Sequence, residues 1–563
     1  MDILAESSQS KLTLFRGGLV AQDRIVVIGA GMGGLATAIR LAAAGRAVRV
    51  IEAHDHPGGK MRTLPSRAGP VDAGPTVLTM RHVFDELFAA AGTRLDDHVT
   101  LERERLLARH FWTDGSVLDL WDDAERSAEA VRAWGGARAE ADFRAFSARA
   151  QRLFEAFDVP MMQAAAPSLG TLAAHVLRRP RLIADMGFGS LATALRGQFR
   201  EPRLRQLFGR YATYVGGSPY RSPAVLGLIW HAEASGVWRV SGGMHKLAEA
   251  MAALAERLGA EIAYGTPAAH IEVQGGRTAA VVTGSGERIA CAHVVHAGDP
   301  KALHAGLLGP APERAVPKKA VAPRSLSAHV LAFAAVPHGP ELAYHNVFFG
   351  DDPRAEFGPV EKGAMPLDPT IYVCAEDRGG GPPPPGTLER FETIMNAPPT
   401  GARDQSDEEI ETCLTRTWGR LARSGLTFSP IPTRDALTTQ AGFHRLFPGS
   451  DGSLYGRSPH GMLAAFSRPT AQTSVPGLIL AGGGAHPGAG IPMATLSGRH
   501  AAAAILSDRT STSTSPRTAT PGGISTASPT TAAARSRSSP SSAPSSRPGT
   551  AGRGGRTPPT TAA

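Results

Sequence analysis

Gly29, Gly31 and Gly34 stand in the spacing GxGxxG, and the chemistry this spacing serves is pyrophosphate binding. The first glycine permits a tight turn, the second lets backbone approach a phosphate, and the third lets a helix pack close to a strand. The phosphate then lies at a helix N-terminus, where free N–H groups and the dipole favour negative charge. Glu52 follows at the end of "VRVIE", where an acid can bind ribose hydroxyls. An acid there disfavours a 2′-phosphate, and with it NADP. Taken alone, the glycine spacing is also compatible with an ordinary tight turn.

A second cluster narrows the cofactor. Gly58 and Gly59 follow the acid, then Lys60 and Arg62. Two glycines let the backbone fold back over a nucleotide, and either cation can then lie against a diphosphate or a flavin; as isolated residues both read as solvated surface. Far along the chain, "PGLILAGGGAHPGAGIPMATLSG" (476–498) ends a strand in Gly482 and Gly483, followed by Gly484. A further glycine loop through Gly490 leads into Ile491, Pro492 and Met493, with a helix expected to start near Ile491 to Thr495. Free N–H groups there would point at a flavin pyrimidine carbonyl and stabilise an electron-rich reduced ring.

The elements that must position these residues alternate in an α/β manner. "RIVVIG" (24–29) reads as a buried strand, "GLATAIRLAAAGRA" as a helix ending near Gly45, and "VRVIE" (48–52) as the next strand. Residues 83–235 read as largely helical, rich in Leu, Ala and Arg. A helix with apolar spacing at Leu247, Met251 and Leu254 leads to a strand at 261–264, and a β-meander follows to Asp299. Asp299 fits either a helix cap or a cofactor contact. The expected organisation is a discontinuous Rossmann-like nucleotide domain (24–82, 236–300, 471–506) with substrate regions inserted at 83–235 and 301–470. An N-terminal extension (1–23) and a tail (507–563) flank it.

Composition excludes several classes. The net charge of +9 arises mostly from the tail, which carries seven arginines from Arg509 onward and no Lys, Asp or Glu. Residues 1–508 hold 52 basic against 50 acidic side chains, which gives no case for nucleic-acid binding. The tail's only large apolar residue is Ile524, so it is expected to be disordered: an inert extension, a basic segment that touches anionic lipid, or an out-of-frame reading of a GC-rich stretch. Cys291, Cys374 and Cys413 are far apart and form no metal or CxxC pattern, which fits a reducing compartment. No apolar run reaches bilayer-spanning length and no signal peptide is visible, so a cytoplasmic protein is expected.

The pattern of an acid followed by GG(K/R)xR, after a GxGxxG fingerprint, resembles the flavin amine oxidase and carotenoid desaturase superfamily. "HPGAGIPM" (486–493) is similar to the HPGxGxPM of the carotenoid desaturases, as are the blocks at 69–88, 207–250, 345–357 and 453–469. Gly484 departs from the Ser or Asp common there, so no side-chain contact is carried over to it. The resemblance is greatest to the bacterial desaturases of purple phototrophs that act on 1-hydroxycarotenoids. It implies bound FAD and introduction of the C3–C4 double bond into an acyclic 1-hydroxy or 1-methoxy carotenoid. Hydride would leave an allylic carbon and a proton its neighbour, within an apolar tunnel.

Tyr211, Tyr214, Tyr220, Trp230, Trp238, Phe348 and Phe349 are candidates to line such a tunnel, though each also reads as ordinary core. His231, Glu233 and His245 lie in a family-like block, but their spacing makes none of them a base, and no catalytic residue or metal ligand is assigned. The substrate implied lives in lipid, so peripheral contact with the inner, photosynthetic membrane is expected, with quinone or oxygen as electron acceptor. "SPAVLGLIWHAEASGVW" (222–238) could contribute to that contact or form a buried helix. Phytoene desaturation, amine oxidation and a non-catalytic prenyl- or protein-binding relative are the alternatives.

Overall fold

A computed structural model describes residues 24–508; the N-terminal extension and the tail from Arg509 lie outside the described residues. Five parallel strands form a sheet in the order Leu478–Leu480, His293–His296, Ile25–Ile28, Val48–Ile51 and Glu261–Ala263. Strand side chains alternate between faces, and here both faces are buried. Ile25 and Val27 pack with Leu35 and Ile39 of helix Met32–Ala43, Leu247 and Met251 of helix His245–Arg257, and Leu496 of helix Ile491–Ser507. Val26 and Val294 pack on the other side against Ile271, Val281 and Ile289, which belong to the meander Ala268–Gln274, Arg277–Thr283 and Arg288–Ala290. Burying each such aliphatic side chain contributes about 1.5–3 kcal/mol, so the layer around the glycine fingerprint is a rigid platform.

The second large sheet has eight strands. Its main path runs Thr427–Ser429, Ser327–His338, Glu389–Ala397, Ile371–Ala375, His345–Phe348, Leu106–Phe111, Val117–Trp121, with Leu437–Thr438 paired to Ser327–His338. One face is closed by helix Asp407–Arg423, where Cys413, Leu414 and Leu421 meet Phe391 and Met395. On the other face His345 is opposite Cys374 and Cys374 opposite Glu392, and Ala332 meets Val71 and Ala73 of the segment that follows Arg62.

One expectation changes. Residues 101–121 are not helical: Leu106–Phe111 and Val117–Trp121 form an antiparallel hairpin at the edge of the large sheet. Buried Leu118 and Leu120 alternate with more exposed neighbours, and Gly115 supplies the positive φ of the turn. The abundance of Leu and Ala masks this period of two. The following helix, Ala124–Phe157, is capped by Asp123, whose carboxylate accepts Arg126 N–H at 2.7 Å, and breaks at Gly136 (φ 81°).

Candidate functional site

The first two glycine motifs and the third, more than 400 residues further along the chain, meet at the C-terminal ends of the parallel strands. Gly31 bridges Gly58, and Gly58 N–H donates to Ala30 O at 2.9 Å. A Cβ on Gly33 would lie 2.6 Å from Gly482 Cα, and one on Gly498 would lie 2.7 Å from Ala36 Cβ. Gly482 N–H in turn donates to Ser497 Oγ at 2.7 Å. A Cβ on Gly34 would overlap Gly29 O, the close helix–strand approach that the third glycine of the fingerprint permits.

Gly31 differs from its neighbours. Its φ of −72° and ψ of 174° suit any residue, and a Cβ there would meet nothing within 4 Å. No packing within the protein requires a glycine at this position. The helix it precedes has no side-chain cap and no acid in its first turn, so its N-terminal N–H groups and dipole face outward uncompensated. A backbone cradle with open space beside an uncapped helix N-terminus fits a pyrophosphate. The helix Ile491–Ser507 begins the same way, behind Gly490 (φ 99°), with Pro492 in its first turn and neither side-chain cap nor acid.

Glu52 is 5% exposed, and both carboxylate oxygens are held by backbone. Ala30 N–H donates to Oε2 at 2.6 Å and His54 N–H to Oε1 at 2.9 Å. The acid thus ties the fingerprint turn to the segment after the second strand, and each oxygen keeps a lone pair for a further donor.

Lys60 and Arg62 both reach across to residues 438–455. Lys60 Nζ donates to Leu454 O at 2.6 Å and lies 5.5 Å from the Phe447 ring; burial pulls its pKa down to about 8. Arg62 Nη2 donates to Thr438 Oγ1 at 2.7 Å, and its guanidinium lies 5.7 Å from the Phe443 ring. Both cations are therefore anchored to the 438–455 segment, joining it to the glycine motifs, and neither is a solvated surface group.

Sequence reasoning missed two other cations nearby. Arg468 donates to the carbonyls of Gly483 (2.7 Å), Arg457 (2.8 Å) and Tyr455 (2.9 Å), and burial pulls its pKa down to about 10. Arg324 pairs with Asp299. Burial opposes ionisation of Asp299, but Arg324 and Lys60 outweigh it and hold the carboxyl below its usual range. Asp299 also caps helix Pro300–His304 by accepting Lys301 N–H at 2.9 Å. A Cβ on Gly484 would overlap Pro300 Cδ, the packing reason for a glycine where a polar side chain was the expectation. Its partners are backbone carbonyls, which every residue type supplies, so although Arg468 lies in the block 453–469 no side-chain pattern singles it out.

The aromatic candidates separate. Phe348 stacks on Phe111 in the core beneath helix Asp407–Arg423, whereas Phe349, Tyr211 and Trp230 are buried together in a different cluster. Tyr214, Tyr220 and Trp238 are half-buried. Tyr211 and Tyr214 donate to the two oxygens of Glu233 at 2.9 and 2.8 Å, and Arg210 donates to Tyr214 Oη at 3.2 Å. Burial raises the Glu233 carboxyl, with Arg210 and the two phenols working against it. His245 is tied to Met61 O at 2.9 Å, and His231 lies beside Ser235. Ala224, Gly227 and Trp230 are buried, so much of the stretch 222–238 is core.

Residues 32–506 match the family of flavin containing amine oxidoreductases. The chain is 57% identical over 491 residues to a hydroxyneurosporene desaturase of Cereibacter sphaeroides, covering 87% of this chain and 99% of that protein. It is 52% identical to a hydroxyneurosporene desaturase of Rhodobacter capsulatus, again over 87% of this chain and 99% of the relative. Among solved structures, an oxidoreductase from Methanosarcina mazei superposes with a TM-score of 0.55 at 15% identity, covering 84% of this chain and 99% of that one; that likeness concerns the fold.

Proposed function

The chain belongs to the flavin containing amine oxidoreductase family and, within it, to the carotenoid desaturases, and from that premise we propose that it introduces the C3–C4 double bond into an acyclic 1-hydroxy or 1-methoxy carotenoid. The observation that carries this reading is near-full-length similarity to two hydroxyneurosporene desaturases, on a chain whose glycine motifs converge on one cradle.

Bound FAD supplies a two-electron acceptor for hydride. The chain's own residues bind and orient it. Gly31 would leave room for the pyrophosphate beside an uncapped helix that the turn at Gly29 and the close packing at Gly34 position, Glu52 would receive the ribose hydroxyls, and Gly58 and Gly59 would fold the backbone over the nucleotide. Gly482 and Gly483 close the cradle from the far end of the chain. Gly490, Ile491, Pro492 and Met493 form the uncapped N-terminus of the last helix, whose free N–H groups would stabilise the reduced flavin ring. Lys60, Arg324 and Arg468 outnumber Asp299 beside this loop, a field that favours an electron-rich group. Arg62 fastens the cradle to the substrate side of the molecule, where buried aromatic residues exclude water.

The substrate is drawn from lipid through peripheral contact with the membrane, and quinone or oxygen takes the electrons. Anaerobic addition of 1-hydroxyneurosporene, phytoene and an amine to separate samples of the FAD-loaded protein tests the reading. Bleaching of the flavin by the hydroxycarotenoid is the expected result; bleaching by phytoene alone would replace it with phytoene desaturation.

A further inference from the structure

Residues 158–188 show a feature that the site does not use. The helix Leu169–Leu177 reads LGTLAAHVL, almost wholly apolar, yet none of its residues is buried. The next helix, Pro180–Met186, buries only Leu182. Of the twelve large hydrophobic side chains exposed among the described residues, five fall in this stretch. Phe188 is 80% exposed, Leu177 72% and Val159 69%. Apolar surface concentrated in this way marks a docking face.

Charge indicates what docks. Arg178 and Arg179 between the two helices and Arg181 in the first turn of the second are exposed, and no ion pair holds any of them among the described residues. Asp185, the nearby acid, is already taken by Arg152 at 2.7 Å. Arginines interleaved with protruding aliphatic and aromatic side chains match the chemistry of an anionic bilayer surface, with tails below and phosphates at the level of the cations. The stretch also adjoins the flavin cradle: His486, which opens the HPGAGIPM loop, donates from Nε2 to Ala164 O at 2.8 Å. Arg499 of the last helix donates to Gln163 Oε1 at 2.6 Å.

We infer that residues 158–188 are the surface by which this protein sits on an anionic lipid leaflet, placing the bilayer beside the glycine cradle. The inference rests on the proposed reading only in so far as that reading requires a lipid-dissolved substrate.

Flotation of the full-length, FAD-loaded protein with phosphatidylcholine vesicles, with and without phosphatidylglycerol, tests it. Binding should require phosphatidylglycerol and fall at least tenfold both in Leu177→Asp/Phe188→Asp and in Arg178→Glu/Arg179→Glu. Retained binding in both variants would overturn the assignment, since the arginine-rich tail or another face would then carry the contact. Failure of the unaltered protein to float, with light scattering showing a dimer that the Leu177→Asp/Phe188→Asp variant loses, would also overturn it, in favour of a second copy as the occupant. Flavin bleaching by detergent-dispersed carotenoid, measured on the same variants, should be unchanged. Loss of flotation in the variants without bleaching in any sample would leave the docking surface standing and reject the substrate.

Discussion

Alanine at Gly31 separates what the fingerprint does for a ligand from what it does for the fold. Because Gly31 has φ −72° and its Cβ would meet nothing within 4 Å, Gly31→Ala introduces no strain. It narrows the unfolded ensemble, which stabilises the apoprotein by about 0.4–1 kcal/mol. At Gly34 the added Cβ overlaps Gly29 O and lies 3.1 Å from Ala297 Cβ. Such overpacking against backbone costs about 1–3 kcal/mol or more. For FAD the order reverses. The new methyl at 31 occupies the space proposed for the pyrophosphate and removes at least one charge-assisted hydrogen bond, worth about 1.5–3 kcal/mol. That corresponds to roughly 10- to 100-fold weaker binding. Thermal unfolding of the apoproteins and fluorescence titration with FAD measure the two effects separately. If Gly31→Ala lowered the apoprotein Tm as much as Gly34→Ala while leaving FAD affinity intact, the assignment of this space to the cofactor would be refuted.

Other consequences follow from single side chains. Glu52→Ala strands the buried N–H of Ala30, costing about 1–3 kcal/mol, and frees the half-buried N–H of His54. The apoprotein should melt lower and FAD should stabilise it less; an unchanged FAD-induced Tm shift would count against the ribose role. Lys60 has a folded pKa of about 8, below that of a free lysine, so the unfolded chain binds more protons between about pH 8 and pH 10 and stability gains a rising contribution across that window. Denaturant titrations of the apoprotein should show that rise, and Lys60→Met should lose it; identical slopes would contradict the burial argument. Glu233→Leu leaves the hydroxyls of Tyr211 and Tyr214 without their acceptor, each costing about 1–3 kcal/mol, and removes the carboxylate whose charge favours the Arg210 cation. Equilibrium unfolding within 1 kcal/mol or so of the parent would show the cluster to be dispensable.

Much of the cradle was legible because glycine spacing is dictated by backbone geometry. Gly34 has no room for a Cβ, Gly490 needs a positive φ, and an acid at 52 can reach the fingerprint turn only from the end of the adjacent strand. These are local constraints, and they surface as short motifs. Lys60 and Arg62 were visible as cations, but their acceptors at Leu454 and Thr438 lie almost 400 residues away, and no local pattern encodes that pairing. Arg468 was missed for a different reason: its three partners lie within 15 residues but are all backbone carbonyls, which carry no residue-type signal. The hairpin at 106–121 was hidden by a composition that favours helix, although its alternation and Asp-Gly turn were present. In the stretch 222–238 apolar content fitted either membrane contact or a buried helix, and Trp230 turns inward to Ser147 at 2.9 Å. Exposed apolar side chains concentrate instead at 159–188, where only burial distinguishes a core helix from a surface one.

The central claim is the identity of the bond that is oxidised. Product analysis after incubating the FAD-loaded protein with 1-hydroxyneurosporene and a quinone tests it most directly. The account predicts a carotenoid lighter by two hydrogens, with an absorption spectrum shifted to longer wavelength by one added conjugated double bond at C3–C4. Unchanged hydroxycarotenoid, in a preparation that converts phytoene, would contradict it.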